Sequence, residues 1–309
     1  MQKSIQLKTK APLINSLRHW RLLVLVLPAL VYIVVFQYMP MYGIVIAFQD
    51  FKPHLGYLGS PWVGLKHFLR FFNAPDSMQL INNTLLLSIF QLVFSFPVPI
   101  ILALSINLLN NRRYQKTVQL VTYAPHFISM VVMVSIMRVL LDPQTGLVNL
   151  FLQKLGQGSM FFMGDAELFR PVYIGSDIWQ NTGWNSIIYF AALASVDVSM
   201  HEAAIIDGAN KLQRVRYIDF PSILPTIITV LILNTGRIMS IGFEKVFAMQ
   251  NALNLSNSQI ITTYVYQVGI REGQYSYSAA INLFNSMVNL LLLLSVNAVM
   301  KKVSDNSIF

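Results

Sequence analysis

The sequence predicts an all-α polytopic membrane protein with six transmembrane helices, and three observations carry that expectation. Of 309 residues, 55% are hydrophobic and only 11% charged, with a mean hydropathy of +0.55. That is more apolar surface than a water-soluble core of ordinary composition can hide. Six stretches approach the ~20 apolar residues that cross about 30 Å of hydrocarbon. Lys and Arg are unevenly shared between the two sets of loops.

The six stretches run from Leu22 to Ile46, Leu80 to Asn107, Val118 to Leu141, Val172 to Leu193, Ile223 to Phe243 and Ala279 to Val299. The apolar run after the basic N-terminus is too long for a signal-peptide core and lacks a small-residue cleavage site, so it reads as a first anchor. One side collects Lys3, Lys8, Lys10, Arg18 and Arg21, then Arg112, Arg113 and Lys116, then Lys211, Arg214 and Arg216, then Lys301 and Lys302. The positive-inside rule makes that side cytoplasmic, with both termini. The expected organisation is a basic cytoplasmic segment over 1–21, a membrane domain over 22–300 and a cytoplasmic tail over 301–309. The outer loops carry Gly, Pro and aromatic residues and read as short interfacial turns and helices.

Composition also excludes. A net charge of +9 with no cysteine rules out disulfides, thiolate metal sites and cysteine nucleophiles. The basic residues are scattered between apolar runs rather than clustered as a nucleic-acid surface requires. The five histidines, His19, His54, His67, His126 and His201, are dispersed and form no metal-ligand pair. No GxxxxGK[ST] phosphate loop is present, so any ATP would be hydrolysed by another chain.

The loop between the fourth and fifth stretches, 195–221, is unusually long. Ser199 and Glu202 have capping-box spacing, which predicts a short helix from Ser199 through Ala203, Ala204 and Ile206. Gly208 supplies a turn, a second amphipathic arm covers Leu212 to Ile218, and Pro221 suits the first turn of the next helix. For an arbitrary loop, the plain reading is an elbow that packs on the membrane surface.

The pattern Glu202-Ala203-Ala204, three residues, Gly208, nine residues, Ile218-Asp219-Phe220-Pro221 resembles the EAA loop of binding-protein-dependent ABC importer permeases, with Phe220 where the family has Leu. Tyr38 to Gly43, Gly59 to Leu65, Tyr123 to Ser129 and Tyr275 to Ala280 resemble the branch that imports oligosaccharides and polysaccharide fragments. The resemblance implies a type I ABC importer permease fold in the plasma or inner membrane. It implies a second homologous permease, as a heterodimer, two cytoplasmic ABC ATPases that hold ATP and Mg, an extracellular solute-binding protein and an oligosaccharide solute. This chain would bind no cofactor and catalyse nothing. Ser199, Glu202, Ala203, Ala204, Asp207, Gly208, Ala209, Ile218 and Pro221 would serve ATPase coupling.

Candidate path residues come from polar groups in apolar stretches, which are expensive unless they face protein or water. Asn234, Arg237 and Glu244 lie on the fifth helix at spacings of three and seven, so they share one stripe. Trp179, Asn181, Trp184 and Asn185 offer aromatic faces and amides suited to sugar surfaces and hydroxyls, although Trp also populates interfacial belts. Both Trp would face one cavity only if the helix is distorted near Thr182-Gly183. Tyr123 and His126 complete the set, and His126 beside Pro125 equally suits the packing of a kink. A passive channel or secondary carrier would explain six helices but not the EAA pattern, and a scaffold subunit that lines no path is the remaining alternative.

Overall fold

The computed structural model describes residues 20–240 and 242–303, so most of the basic N-terminal segment and of the C-terminal tail lies outside the described residues. The described chain is almost wholly helical, and its single β-bridge joins Gln49 to Trp62. In order, α1 is Val24–Phe48, α2 Lys66–Phe72, α3 Ser77–Asn107, α4 Arg112–Phe127 and α5 Met130–Leu140. Then come α6 Leu147–Lys154, α7 Ala166–Leu193, α8 Val198–Ile206, α9 Lys211–Thr235, α10 Phe243–Met249, α11 Leu255–Ser258, α12 Ile261–Tyr266 and α13 Tyr275–Val303.

Four helices, α1, α3, α9 and α13, are long and apolar enough to span, and two bent pairs raise the number to six. α7 has 28 residues, about 42 Å of helix. It is less apolar because it runs through the centre of the bundle, where Asp177, Gln180 and Ser186 are buried against other helices. The third stretch is not the single span expected over Val118 to Leu141. α4 and α5 meet at 100°, because Pro125 opens a 3-10 turn over Ala124–Phe127 and Ser129 caps a new helix by accepting from the Val132 N–H.

Three spans share a device tied to proline. π-helical segments end at Tyr38, Ser95 and Asp219, each two residues before Pro40, Pro97 or Pro221. A proline ring crowds the carbonyl four residues back and leaves it without its N–H partner, so widening the preceding turn relieves the clash. The fifth span accordingly begins at Lys211 rather than at Ile223, and Pro221 lies inside a continuous helix rather than at its start. It also ends early, at Thr235, before a 3-10 turn over Ile238–Ser240.

That break would strand backbone polar groups in a membrane unless protein satisfied them. Here Ser88 Oγ on α3 donates to the Ile238 carbonyl, and Asn289 Oδ1 on α13 accepts from the Met239 N–H at 2.8 Å. Three buried clusters hold the bundle. One joins α3, α5, α7 and α10 around Leu87, Met137, Tyr173 and Val246. A second joins α2, α3, α12 and α13 around Phe71, Leu80, Ile261 and Ile281. The third joins α3, α7 and α9 around Ala103, Tyr189 and Ile223.

The loop after α1 is pinned by aromatic and polar contacts. Phe48 stacks on Trp62 at 5.6 Å, and the Phe51 N–H donates to Ser276 Oγ at 2.8 Å. Lys66 Nζ lies 2.7 Å from Asp50 and His67 Nε2 3.1 Å from it. The hydrogen bond from Lys66 holds the Asp50 carboxyl below its ordinary value.

Candidate functional site

Two regions gather the residues singled out by sequence. The first is a cavity of about 780 Å³ between α3, α7 and α9, within the range of small-molecule sites. Its polar lining comprises Ser88, Gln91 and Ser95 from α3, Asp177, Trp184 and Asn185 from α7, and Asn234 and Arg237 at the end of α9. The π-segment Gln91–Ser95 places two of these groups, and the broken end of α9 places Arg237. π-bulges are frequent at functional sites for this reason. The Arg237 side chain is exposed and makes no hydrogen bond or ion pair among the described residues.

Beneath the cavity runs a connected polar chain. Asp177 Oδ2 accepts from Gln91 Nε2 at 3.1 Å, and its Oδ1 accepts from Asn181 Nδ2 at 2.8 Å. Asn181 Oδ1 lies 3.0 Å from His126 Nδ1. Because the Asn181 amide N–H is committed to Asp177, its oxygen accepts, and His126 carries the proton on Nδ1. The His126 ring stacks on Trp184 at 4.5 Å with a 6° tilt, and Phe127 meets Trp184 edge-on at 5.7 Å. One face of Trp184 is therefore occupied, leaving the other for the cavity.

Trp184, Asn185, Asn234 and Arg237 thus line one space, and Asn181 and His126 buttress it. Tyr123 is half-buried on α4 and is not in the lining. Two expectations are corrected. α7 is an uninterrupted α-helix through Thr182-Gly183, so Trp179 does not turn toward the cavity; it is exposed elsewhere on the helix. Glu244 does not extend a stripe from Asn234 and Arg237, because the chain breaks after Thr235 and Glu244 sits exposed in the first turn of α10.

Sequence reading missed Asp177, Gln91 and Lys245. Asp177 is the one acidic residue in the fourth apolar stretch, and that cost alone marks it. Lys245 is 2% exposed, with Nζ 3.2 Å from the Tyr173 carbonyl oxygen and 4.7 Å from the Tyr173 ring centroid. No periodicity marks it, since it lies on a short helix packed against α5 and α12.

The second region is the loop over 195–221. The short helix forms, but the expected Ser199–Glu202 capping box does not. Asp197 is the N-cap, accepting from the Ser199 N–H at 2.9 Å, and that bond lowers its carboxyl pKa. Glu202 is exposed and carries no partner among the described residues. The C-terminal end is a Schellman closure in which the Gly208 N–H donates to the Ile205 carbonyl at 3.0 Å and the Ala209 N–H to the Ala204 carbonyl at 2.8 Å. Asp207 is the C-cap, and Gly208 has φ +79°. Asn210 and Gln213 then form the capping box that starts α9. Val198, Met200, Ile205 and Ile206 are exposed, Ile206 at 86%, and α8 buries no residue in the bundle. Ile218 is buried in the π-segment.

Comparison with known proteins agrees with this architecture. Residues 81–305 match the family model for the binding-protein-dependent transport system inner membrane component. The chain is 43% identical over 302 residues to the Bacillus subtilis polygalacturonan/rhamnogalacturonan transport system permease protein YteP, covering 98% of this chain and 94% of that protein. It is 43% identical over 288 residues to Bacillus subtilis protein LplB, covering 93% and 91%. A solved bacterial ABC transporter involved in import of the acidic polysaccharide alginate superimposes with a TM-score of 0.87 at 35% identity, over 94% of this chain and 98% of that one. The alginate transporter in complex with pentasaccharide-bound periplasmic protein gives 0.88 at 33% identity, over 97% and 100%.

Proposed function

The chain belongs to the binding-protein-dependent transport system inner membrane component family, and from that premise we propose that it is one of two paired permeases that import an oligosaccharide or polysaccharide fragment. Separate ATPase subunits, which hold ATP and Mg, drive the cycle through α8, and an extracellular binding protein delivers the solute. Both termini are cytoplasmic in this reading. The observation that carries it is α8 itself, a capped helix whose Val198, Met200, Ile205 and Ile206 stand in the open beside an unpartnered Glu202. Exposed apolar groups rimmed by charge mark a protein interface. Glu202 is free to pair with a basic residue there.

The cavity supports the solute class. One relative is named for polygalacturonan/rhamnogalacturonan transport, and the structural neighbours import an acidic polysaccharide. Trp184 offers one free face to a sugar ring, Asn185 and Asn234 offer amides to hydroxyls, and the unpaired Arg237 guanidinium suits a carboxylate. A charge-assisted hydrogen bond contributes about 1.5–3 kcal/mol, so Arg237→Gln should lower uptake of an acidic oligosaccharide roughly tenfold or more. Trp184→Ala and Asn181→Ala should each reduce uptake while membrane insertion persists. Uptake of radiolabelled oligosaccharide into proteoliposomes holding the full importer measures this. Wild-type rates in all three variants would remove them from the path, and uptake that persists without any ATPase subunit would favour a passive carrier.

A further inference from the structure

The loop over 195–221 contains a contact that docking alone does not require. On α8, the residue before Glu202 is His201, whose side chain turns inward and is 23% exposed. Its Nε2 lies 3.2 Å from Oδ1 of Asp219, which is 2% exposed. The same oxygen accepts from Asn107 Nδ2 at 3.3 Å, at the end of α3. Arg214 adds a positive charge nearby, and Lys211 Nζ donates to the Leu108 carbonyl at 3.4 Å. One buried carboxylate thus ties α8 to α9 and α3.

We propose that the His201–Asp219–Asn107 contact is a latch that passes movement of α8 into α9 and α3, with His201 and Asp219 as positioning residues for coupling. The covalent connections of α8 are poorly suited to that task. Toward α7 the chain bends by 76°. Toward α9 it passes through Gly208, beside which an added Cβ would meet nothing within 4 Å. α8 buries no residue in the bundle. Among the described residues, His201 to Asp219 is the one side-chain polar contact from α8 to the other helices. A carboxylate this buried is costly without partners, which favours the contact's persistence while α8 is displaced. Asp219 closes the π-segment before Pro221, so a pull on it acts on the widened turn of α9, where the ladder is weakest.

The latch rests on the coupling role proposed for the loop, and the test separates the two. The reconstituted importer, with partner permease, ATPases and binding protein, is assayed for solute imported per ATP hydrolysed. His201→Ala and Asp219→Leu, which deletes the accepting oxygen, should each lower that ratio several-fold with ATP hydrolysis retained. The double variant should be no worse than the more affected single, as expected when both substitutions remove one interaction. His201→Gln, whose side-chain amide can donate to the same oxygen, should keep the ratio. Glu202→Ala is run alongside as the docking control. An unchanged ratio in His201→Ala with uncoupling in Glu202→Ala overturns the latch and leaves the docking role standing; unchanged ratios in both overturn the docking role and the latch together. If Asp219→Leu fails to assemble, the His201 pair decides, because equal ratios for Ala and Gln would overturn the latch.

Discussion

Gly208→Val is expected to lower coupled solute uptake about tenfold while leaving the membrane bundle assembled. The residue closes α8 in a Schellman motif at φ +79°. A left-handed conformation costs an L-residue roughly 1–2 kcal/mol, and a β-branched side chain is a still worse occupant. There is open space at the site, so the cost is backbone strain rather than collision. The strain is relieved by moving the Ala204 to Ala209 closure and with it the apolar face of α8. At 1.4 kcal/mol per factor of ten, a docking contact carrying that penalty weakens about tenfold. Gly208→Ala should sit between wild type and Val. Glu202→Ala should act in the same direction through a different cause, loss of a charge already free to leave the helix. Uptake and substrate-stimulated ATP hydrolysis in the same proteoliposomes are the measurement; wild-type values in Gly208→Val and Glu202→Ala would reduce the loop to an elbow.

At Gly183, substitution is expected to act on folding rather than on coupling. A Cβ there would collide with the Thr122 carbonyl and lie 2.8 Å from the Tyr123 nitrogen. α4 and α7 therefore touch backbone to backbone at this point, as small residues permit in membrane bundles. Overpacking typically costs about 1–3 kcal/mol, and here the obstacle is main chain that cannot rotate away. Gly183→Ala should lower the melting temperature of the purified importer, and Gly183→Val should prevent its assembly. Moving α4 would also separate His126 from Trp184 and dismantle the cavity floor. Thermal unfolding followed by size-exclusion chromatography reads both effects, and unaltered melting of Gly183→Val would refute the close approach.

The two variants fall on opposite sides of what the chain alone discloses. Gly208 was legible because it ends a local pattern: Ala203, Ala204, Asp207, Gly208 and Asn210 code a helix stop and a restart within eight residues. Even there the start of the helix is ambiguous in the sequence, since Asp197 and Ser199 are both competent caps and only the backbone path selects Asp197. Gly183 offered no such pattern. Its necessity comes from Thr122, sixty-one positions earlier, and a glycine in an apolar stretch reads equally well as a kink.

Composition and apolar run length determined, without any structure, that this is a helical membrane protein, and the EAA-type spacing marked its resemblance to importer permeases, because hydrocarbon thickness and local capping act on contiguous residues. The cavity was a decision of the tertiary structure. Arg237 faces it because α9 breaks after Thr235, and the break stands because Ser88 and Asn289, from α3 and α13, satisfy the freed backbone. Trp179 is excluded and Asp177 admitted by the rotation of one uninterrupted helix, α7, against its neighbours. His201 meets Asp219 across a turn. Partners so far apart in sequence leave no periodic trace, since each polar group's environment is set by whichever helix packs against it.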